Sequence, residues 1–393
     1  MALAVEKDKK KILFIVESMG GGVFTYIVDL ANELVSTYDM YVAYAVRKQT
    51  PRNYKEYFDK RVHLIEVKNF SRAINFSKDL KAFLEVKRIA SEVKPDIIHL
   101  HSSKAGVIGR LAFNGKIPMF YTPHGYSFLM ENYNPLKRTI FKVIERICAR
   151  RNCTTISCSA GEHQETLKLT RRATYVNNGI NMRELQDIMD KTEKIPHPFT
   201  VFTLGRICYQ KNPTLFNAIA EKLPDLRFVW IGNGELRSEL KSKNIEITGW
   251  TDRATAIKYA VNADVFLLTS RWEGLPISLL EAMYMKKVCV VSNVIGNKDV
   301  IHNGENGFVC NREDEFVEAI MKIKENSVEE VYNRAFEDII NTYNTQIMAP
   351  NYSQIYICEM KKRESGADRD EVLGIRERYE WWMNKKFFTS KQT

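Results

Sequence analysis

Short apolar runs alternate with segments of helical periodicity along almost the whole chain. In the first half KILFIVE, MYVAYAV, VHLIEV, DIIHLH, PMFYT, CTTISCS and ATYVNN are rich in β-branched and aromatic residues, and they predict strands. FTVFTLGR, LRFVWIGNG, IEITGW, DVFLLTS, KVCVVSNV and NGFVCN do the same in the second half. Between them Val23, Ile27, Leu30 and Leu34 recur at helical spacing, Asn212-Pro213 has the form of a cap and first-turn pair, and Asp252 that of a cap after Trp250. Alternating strands and helices build parallel sheets from βαβ units, so the predicted class is α/β, with two Rossmann-like doubly wound domains. The segment DKTEKIPHPF carries two prolines and little apolar content. It sets the expected division into a first domain over residues 1–190, a second over 191–355 and a basic, aromatic tail over 356–393. Ligands of such sheets gather at the carboxyl ends of the strands, which puts the expected site in a cleft between the domains.

Composition narrows the class. A chain of 393 residues with 45% hydrophobic content has enough apolar material for two cores. No apolar run is long enough to span a bilayer, and the start MALAVEKDKK has its charges after a short apolar stretch, unlike a signal peptide, so a cytoplasmic protein is expected. Seven cysteines with no CxxC spacing read as reduced, structural thiols. The net charge of +10 implies an anionic partner: a nucleic acid, an acidic membrane surface or a phosphate-bearing substrate. Basic residues are spread rather than interleaved with aromatics in a known module, which speaks against nucleic acid.

Several loops carry candidate chemistry. In VESMGGGVF, Gly20, Gly21 and Gly22 permit close backbone approach to a ligand at a helix N-terminus, with a plain tight turn as the alternative. A dinucleotide fingerprint fails here, because Thr25 stands where a third glycine belongs and MYVAYAV runs into Arg47 and Lys48 instead of an acid. Arg206 and Lys211 follow the strand FTVFTLGR, and a fork beside a point charge suits a diphosphate, with surface solvation as the alternative. Gly274, Leu275 and Pro276 open the helix PISLLEAMYM and offer free amides at its positive end. Glu273 and Glu281, in WEGLPISLLEAM, could be an acid and base pair, a metal site or hooks for sugar hydroxyls. His101, Ser102, Ser103 and Lys104 form a strand-to-helix loop able to receive an acceptor or its phosphate, with a plain loop as the alternative. His99 and His101 share a strand face, but no third ligand is near, and the DxD string at Asp368 and Asp370 has no strand to hold it, so neither metal nor cofactor is expected. The helix LKRTIFKVIERICARR sets Ile140, Val143, Ile144 and Ile147 against Lys137, Arg138, Lys142, Arg146 and Arg150, as at a membrane surface or in an ordinary domain helix. The end RERYEWWMNKKFFTSKQT groups Trp381, Trp382, Phe387 and Phe388 with Lys385 and Lys386, which suits a membrane interface or packing on the first domain.

Arg206, Lys211 and the Glu273 to Glu281 spacing resemble the family 4 retaining glycosyltransferases, which carry an E-x7-E motif on a GT-B fold. KILFIVESMGGG, LHSSKAG, YTPHGYSF, VNNGIN and GENGFV extend the resemblance over nearly the whole chain up to about residue 355. LHSSKAG and YTPHGYSF in particular look like bacterial enzymes that build capsule, exopolysaccharide or lipid-linked oligosaccharide. The resemblance implies retaining transfer from a nucleotide-diphosphate donor, expected to be a UDP-sugar, to a lipid-linked saccharide at the inner face of the cell membrane. Glu273 would then bond hydroxyls of the donor sugar, and Glu281 the ribose diol. Arg206, Lys211 and the Gly274 and Leu275 amides would stabilise the departing diphosphate. Gly21 and Gly22 would touch the donor, His124 of TPHGY would face its sugar or the transition state, and Gly249 and Trp250 would face the base, with packing as the alternative for Trp250. The rival from another class is a catalytically idle GT-B domain that binds a nucleotide sugar and regulates or scaffolds partners; the intact Arg206, Lys211, Glu273 and Glu281 set argues against it.

Overall fold

The computed structural model describes residues 9–365 except Ser18, Lys48 and residues 72–74. Each apolar run named above contains a strand. β1 (Lys11–Val16), β2 (Asp39–Tyr44), β3 (His63–Glu66), β4 (Ile97–His101), β5 (Met119–Thr122), β6 (Thr154–Ser157) and β7 (Ala173–Tyr175) make a seven-stranded sheet in the order β3-β2-β1-β4-β5-β6-β7. β8 (Thr200–Leu204), β9 (Arg227–Ile231), β10 (Ile245–Ile247), β11 (Val265–Leu268), β12 (Val288–Ser292) and β13 (Phe308–Cys310) make a six-stranded sheet in the order β10-β9-β8-β11-β12-β13. The pairings are parallel, for example β1 with β4 and β8 with β11.

Parallel neighbours need long crossovers, and helices supply them. The first sheet carries α1 (Gly21–Leu34), α2 (Phe76–Val93), α3 (Ser103–Ala112), α4 (Pro135–Cys148) and α5 (Ala160–Leu167). α6 (Met182–Asp190) follows, with Leu185 buried in a core that belongs to the second sheet. Then come α7 (Pro213–Lys222), α8 (Arg253–Val261), α9 (Ile277–Tyr284), α10 (Glu313–Glu325), α11 (Glu329–Asn341) and α12 (Thr345–Ser365). The chain divides into a large compact unit through Ala349 and a second from Pro350, whose described part is the continuing helix.

Helices on both faces explain why β11, in the middle of the second sheet, is apolar and buried at every position. Val201, Val265 and Leu267 enter one core and Phe202, Phe266 and Leu268 the other, following the alternation of side chains along a strand. Both sheets reverse their strand order beside the first strand, between β1 and β4 and between β8 and β11. Loops leaving these four strands therefore open at topological switch points. They carry Gly20 to Gly22, Ser102 and Ser103, Arg206 to Lys211, and Glu273 to Pro276.

Candidate active site

A cavity of about 1370 Å³ lies where the carboxyl ends of the two sheets face each other. From the first sheet Gly21, Gly22, Ser103 and His124 line it. From the second come Arg206, Lys211, Trp250, Glu273, Gly274 and Glu281. Residues far apart in sequence thus meet in one space.

Glu273 is buried and held by three donors. Its Oε1 accepts from Lys211 Nζ at 2.7 Å and Ser270 Oγ at 2.6 Å, and its Oε2 from Gln210 Nε2 at 3.2 Å. The Lys211 bond ties the loop after β8 to the loop after β11. Arg206 forks onto Glu235 through Nε at 2.9 Å and Nη2 at 2.6 Å, nearer to solvent. A guanidinium has five N–H groups and an ammonium three, so both cations keep donors for further oxygens.

Glu281, buried in the second turn of α9, accepts from Arg253 Nη1 at 2.6 Å, while Arg253 Nε donates to Glu184 at 3.1 Å. Asp29, on α1 of the first sheet, is buried beside this cluster with its Oδ2 unpartnered. Burial is the main cause that raises Asp29 to about 8; Arg253 opposes it, and the Glu184 and Glu281 charges add to it.

The His124 backbone is left-handed at φ 56° and Gly125 follows at 90°. Gly125 N donates to Glu162 at 2.6 Å, and the other oxygen of Glu162 accepts from Cys158 N at 2.8 Å. Gly274 presses on this turn: a Cβ there would lie 3.0 Å from Cys158 Sγ and 3.1 Å from Gly125 N. Behind His124 stands a histidine column. His124 Nε2 and His101 Nδ1 are 3.2 Å apart, and His99 Nε2 and Thr122 Oγ1 are 2.9 Å apart. Burial lowers all three imidazoles, His124 to about 3, so the column is neutral at physiological pH.

Some expected roles change here. His101 is fully buried and reaches the cavity only through His124, because strand alternation turns it toward Phe14 and Tyr26 instead of toward an acceptor. Lys104 lines the cavity but is bound to Asp79 at 2.7 Å and to the Ser71 carbonyl at 2.6 Å. Asp252 caps α8 by accepting from Thr255 N. Asn212 stands at the N-cap of α7 ahead of Pro213, but its side chain makes no cap bond: its backbone is left-handed, and its side-chain oxygen accepts from Arg271. Trp250 is not core, being 60% exposed in the cavity wall. All seven cysteines are free thiols. Among the described residues no three His, Cys, Asp or Glu side chains are grouped to hold a metal ion. Asp368, Asp370 and the aromatic tail lie outside the described residues.

Residues 20–184 match the model of Glycosyltransferase Family 4, and residues 185–339 that of Glycosyl transferases group 1. The chain belongs to the family 4 glycosyltransferases. It is 29% identical over 77% of its length to the UDP-Gal:alpha-D-GlcNAc-diphosphoundecaprenol alpha-1,3-galactosyltransferase of Escherichia coli, covering 85% of that protein. To the capsular polysaccharide biosynthesis glycosyltransferase CapM of Staphylococcus aureus it is 24% identical, over 79% of this chain and 88% of CapM. HepE of Anabaena, solved in complex with UDP-glucose, superposes with a TM-score of 0.71 at 17% identity, over 88% of this chain and 98% of that one. Its likeness establishes the GT-B fold: two Rossmann-like domains facing a cleft.

In this glycosyltransferase the sequence reading did not single out Arg253, Asp29, Ser270 or Gln210. Arg253 had one readable signal, its place directly after the Asp252 cap. Asp29 had another, an acid amid the buried positions of α1. Nothing local marks Ser270 or Gln210, whose partner Glu273 is reached only once β8 and β11 pair.

Proposed function

We propose that the enzyme moves a sugar, with retention at the anomeric carbon, from a UDP-sugar to a lipid-linked saccharide at the cytoplasmic face of the membrane, in the synthesis of capsule or a related surface polysaccharide. The convergence of the Lys211–Glu273 pair, Glu281, Gly274 and His124 on one cavity carries this reading. The names of two similar proteins support the substrate classes: the Escherichia coli enzyme takes UDP-Gal and a diphosphoundecaprenol-linked GlcNAc, and HepE binds UDP-glucose.

Breaking the bond between sugar and phosphate leaves charge on the diphosphate. Lys211, Arg206 and the amides that open α9 supply opposite charge there, as donors fixed in place before the bond breaks. Glu273 is an acceptor fixed by three donors and suits a hydroxyl of the donor sugar; Glu281 suits the ribose diol. Both act as binding groups, and no proton transfer is asked of them. His124, held neutral, contributes a hydrogen-bonding ring at the sugar instead of a cation. Trp250, in the cavity wall beside Gly249, provides a face for the base. The departing phosphate takes the acceptor's proton as the acceptor attacks the same face.

Since side chains and amides provide the positive charge, transfer should persist in excess EDTA. Calorimetry against a panel of nucleotides, followed by NMR of the product's anomeric configuration, tests the whole proposal. Binding of uridine nucleotides and a retained anomer are expected. An inverted product, or no nucleotide binding, defeats it; nucleotide-sugar binding without transfer to any acceptor would favour the idle scaffold.

A further inference from the structure

Helix α4 leaves much of its apolar side uncovered: Leu136 is 71% and Ile147 55% exposed, with Ile140 and Val143 about half exposed. Helix α2 does likewise, Phe76 being 85% and Leu84 57% exposed, with Leu80 beside them. Leu111 of α3 adds to the set. Apolar side chains exposed on adjoining helices mark a binding surface more often than chance scatter.

These helices border an open branch of the same cavity. α3 packs against both α2 and α4. Between them the cavity is lined by Phe76, Leu80, Phe83, Leu111, Phe141 and Ile144, and it is continuous with the space that holds Glu273 and His124. The polar groups at its floor are already satisfied by one another: Arg110 donates to Glu145 at 2.6 Å, lies 4.2 Å from the Tyr121 ring centre, and Tyr121 donates to the second Glu145 oxygen at 3.0 Å. Cations stand along α4 instead. Lys137 lines the cavity with its ammonium 3.9 Å from the Tyr133 ring centre, and Lys142 and Arg146 follow on exposed positions.

We propose that this branch binds the isoprenoid chain of a lipid-diphosphate acceptor, with the chain between α2, α3 and α4, its diphosphate toward Lys137 and its saccharide toward His124. The occupant follows from three features. The branch is apolar, it has cations on its α4 side, and its inner end opens on the reacting groups, so a ligand lying there must be apolar at one end, anionic in the middle and reactive at the other. A flat bilayer contact would use the outer surface of the helices and would not need a groove that runs into the cavity. This site rests on the lipid-linked acceptor reading above.

The test compares acceptors that differ only in chain length. Transfer to GlcNAc diphosphate carrying a farnesyl chain and to the same headgroup carrying a methyl group is measured without vesicles or detergent, for the wild type and for Leu80→Asp with Leu111→Asp. Both positions are exposed, and thermal melting checks that the variant is folded. The expected result is a KM at least about tenfold lower for the farnesyl acceptor in the wild type, a preference that the double variant loses. Equilibrium dialysis with farnesyl diphosphate should show the same loss of binding. Equal use of both acceptors by the wild type, or a chain preference the variant keeps, overturns the site while leaving the lipid-linked reading intact. A second arm repeats the assay with anionic vesicles, and a variant effect confined to that arm also overturns the site, in favour of plain bilayer contact. If neither acceptor is used but farnesyl diphosphate binds and the variant abolishes binding, the chain site stands and the acceptor reading fails.

Discussion

Lys211 matters for more than its charge, because the same ammonium that is proposed to meet the diphosphate also fixes Glu273 at 2.7 Å. Replacing it or Arg206 with Ala should lower turnover by about 10² or more, the range for losing one preorganised electrostatic donor. Steady-state assays check this, and near wild-type rates for both variants would remove the diphosphate clamp. Asp29 permits a prediction with a definite sign. Its folded-state value is raised from 3.8 to about 8, so across that window the folded protein keeps a proton that the unfolded chain releases. Stability from this group is present below pH 3.8 and is lost as pH rises toward 8. Asn carries no such proton, so the Tm advantage of Asp29→Asn over wild type should grow between pH 4 and 8 and level off above. Thermal melts at several pH values decide it; a constant difference would mean that Asp29 is ionised in the fold.

At the scale of elements, the site is built from the turns that leave strands at the two switch points, together with the turn after β5. The His124–Gly125 turn and the start of α9 touch without side chains between them, and that is why position 274 is glycine. A Cβ there would meet both a thiol and a backbone amide at distances tighter than ordinary contact. Gly274→Ala should therefore push the two loops apart, costing about 1–3 kcal/mol of stability and a larger share of kcat/KM for the donor. Differential scanning calorimetry alongside kinetics would show both effects, and a variant with unchanged kcat/KM would mean that the contact is not needed for transfer. α4 illustrates another point about elements. Its amphipathic pattern was readable, yet the pattern alone suits a covered domain helix and a surface one equally; the neighbouring helices decide, and they leave Leu136 and Ile147 uncovered.

For the whole molecule, charge and the exposed α4 face are expected to act together at an anionic surface. Among the described residues no helix is long and apolar enough to cross a membrane. Basic residues near an anionic leaflet contribute roughly 1 kcal/mol each, and exposed apolar side chains add interfacial burial. Replacing Arg146, Arg150 and Arg151 together with Ser should weaken co-sedimentation with anionic vesicles at low salt, while neutral vesicles bind wild type weakly. Binding that resists both high salt and the triple replacement would exclude an electrostatic role for α4.

Periodicity and turn chemistry in the sequence were enough to locate the strands, to recognise two parallel α/β domains, and to single out Arg206 and Lys211 beyond a strand end, while Glu273 and Glu281 stood out by their spacing and the family resemblance it carries. Those features are local, since a strand or a cap is encoded within a few residues of itself. Tertiary structure alone decided the partners. Strand order brought Lys211 to Glu273 and Arg253 to Glu281, and the facing of the two sheets placed Asp29 beside that cluster. It also buried His101 behind His124 and left the apolar side of α4 without a cover. Such pairings depend on crossovers that join positions tens of residues apart, and no short stretch of sequence records which crossover its neighbours take.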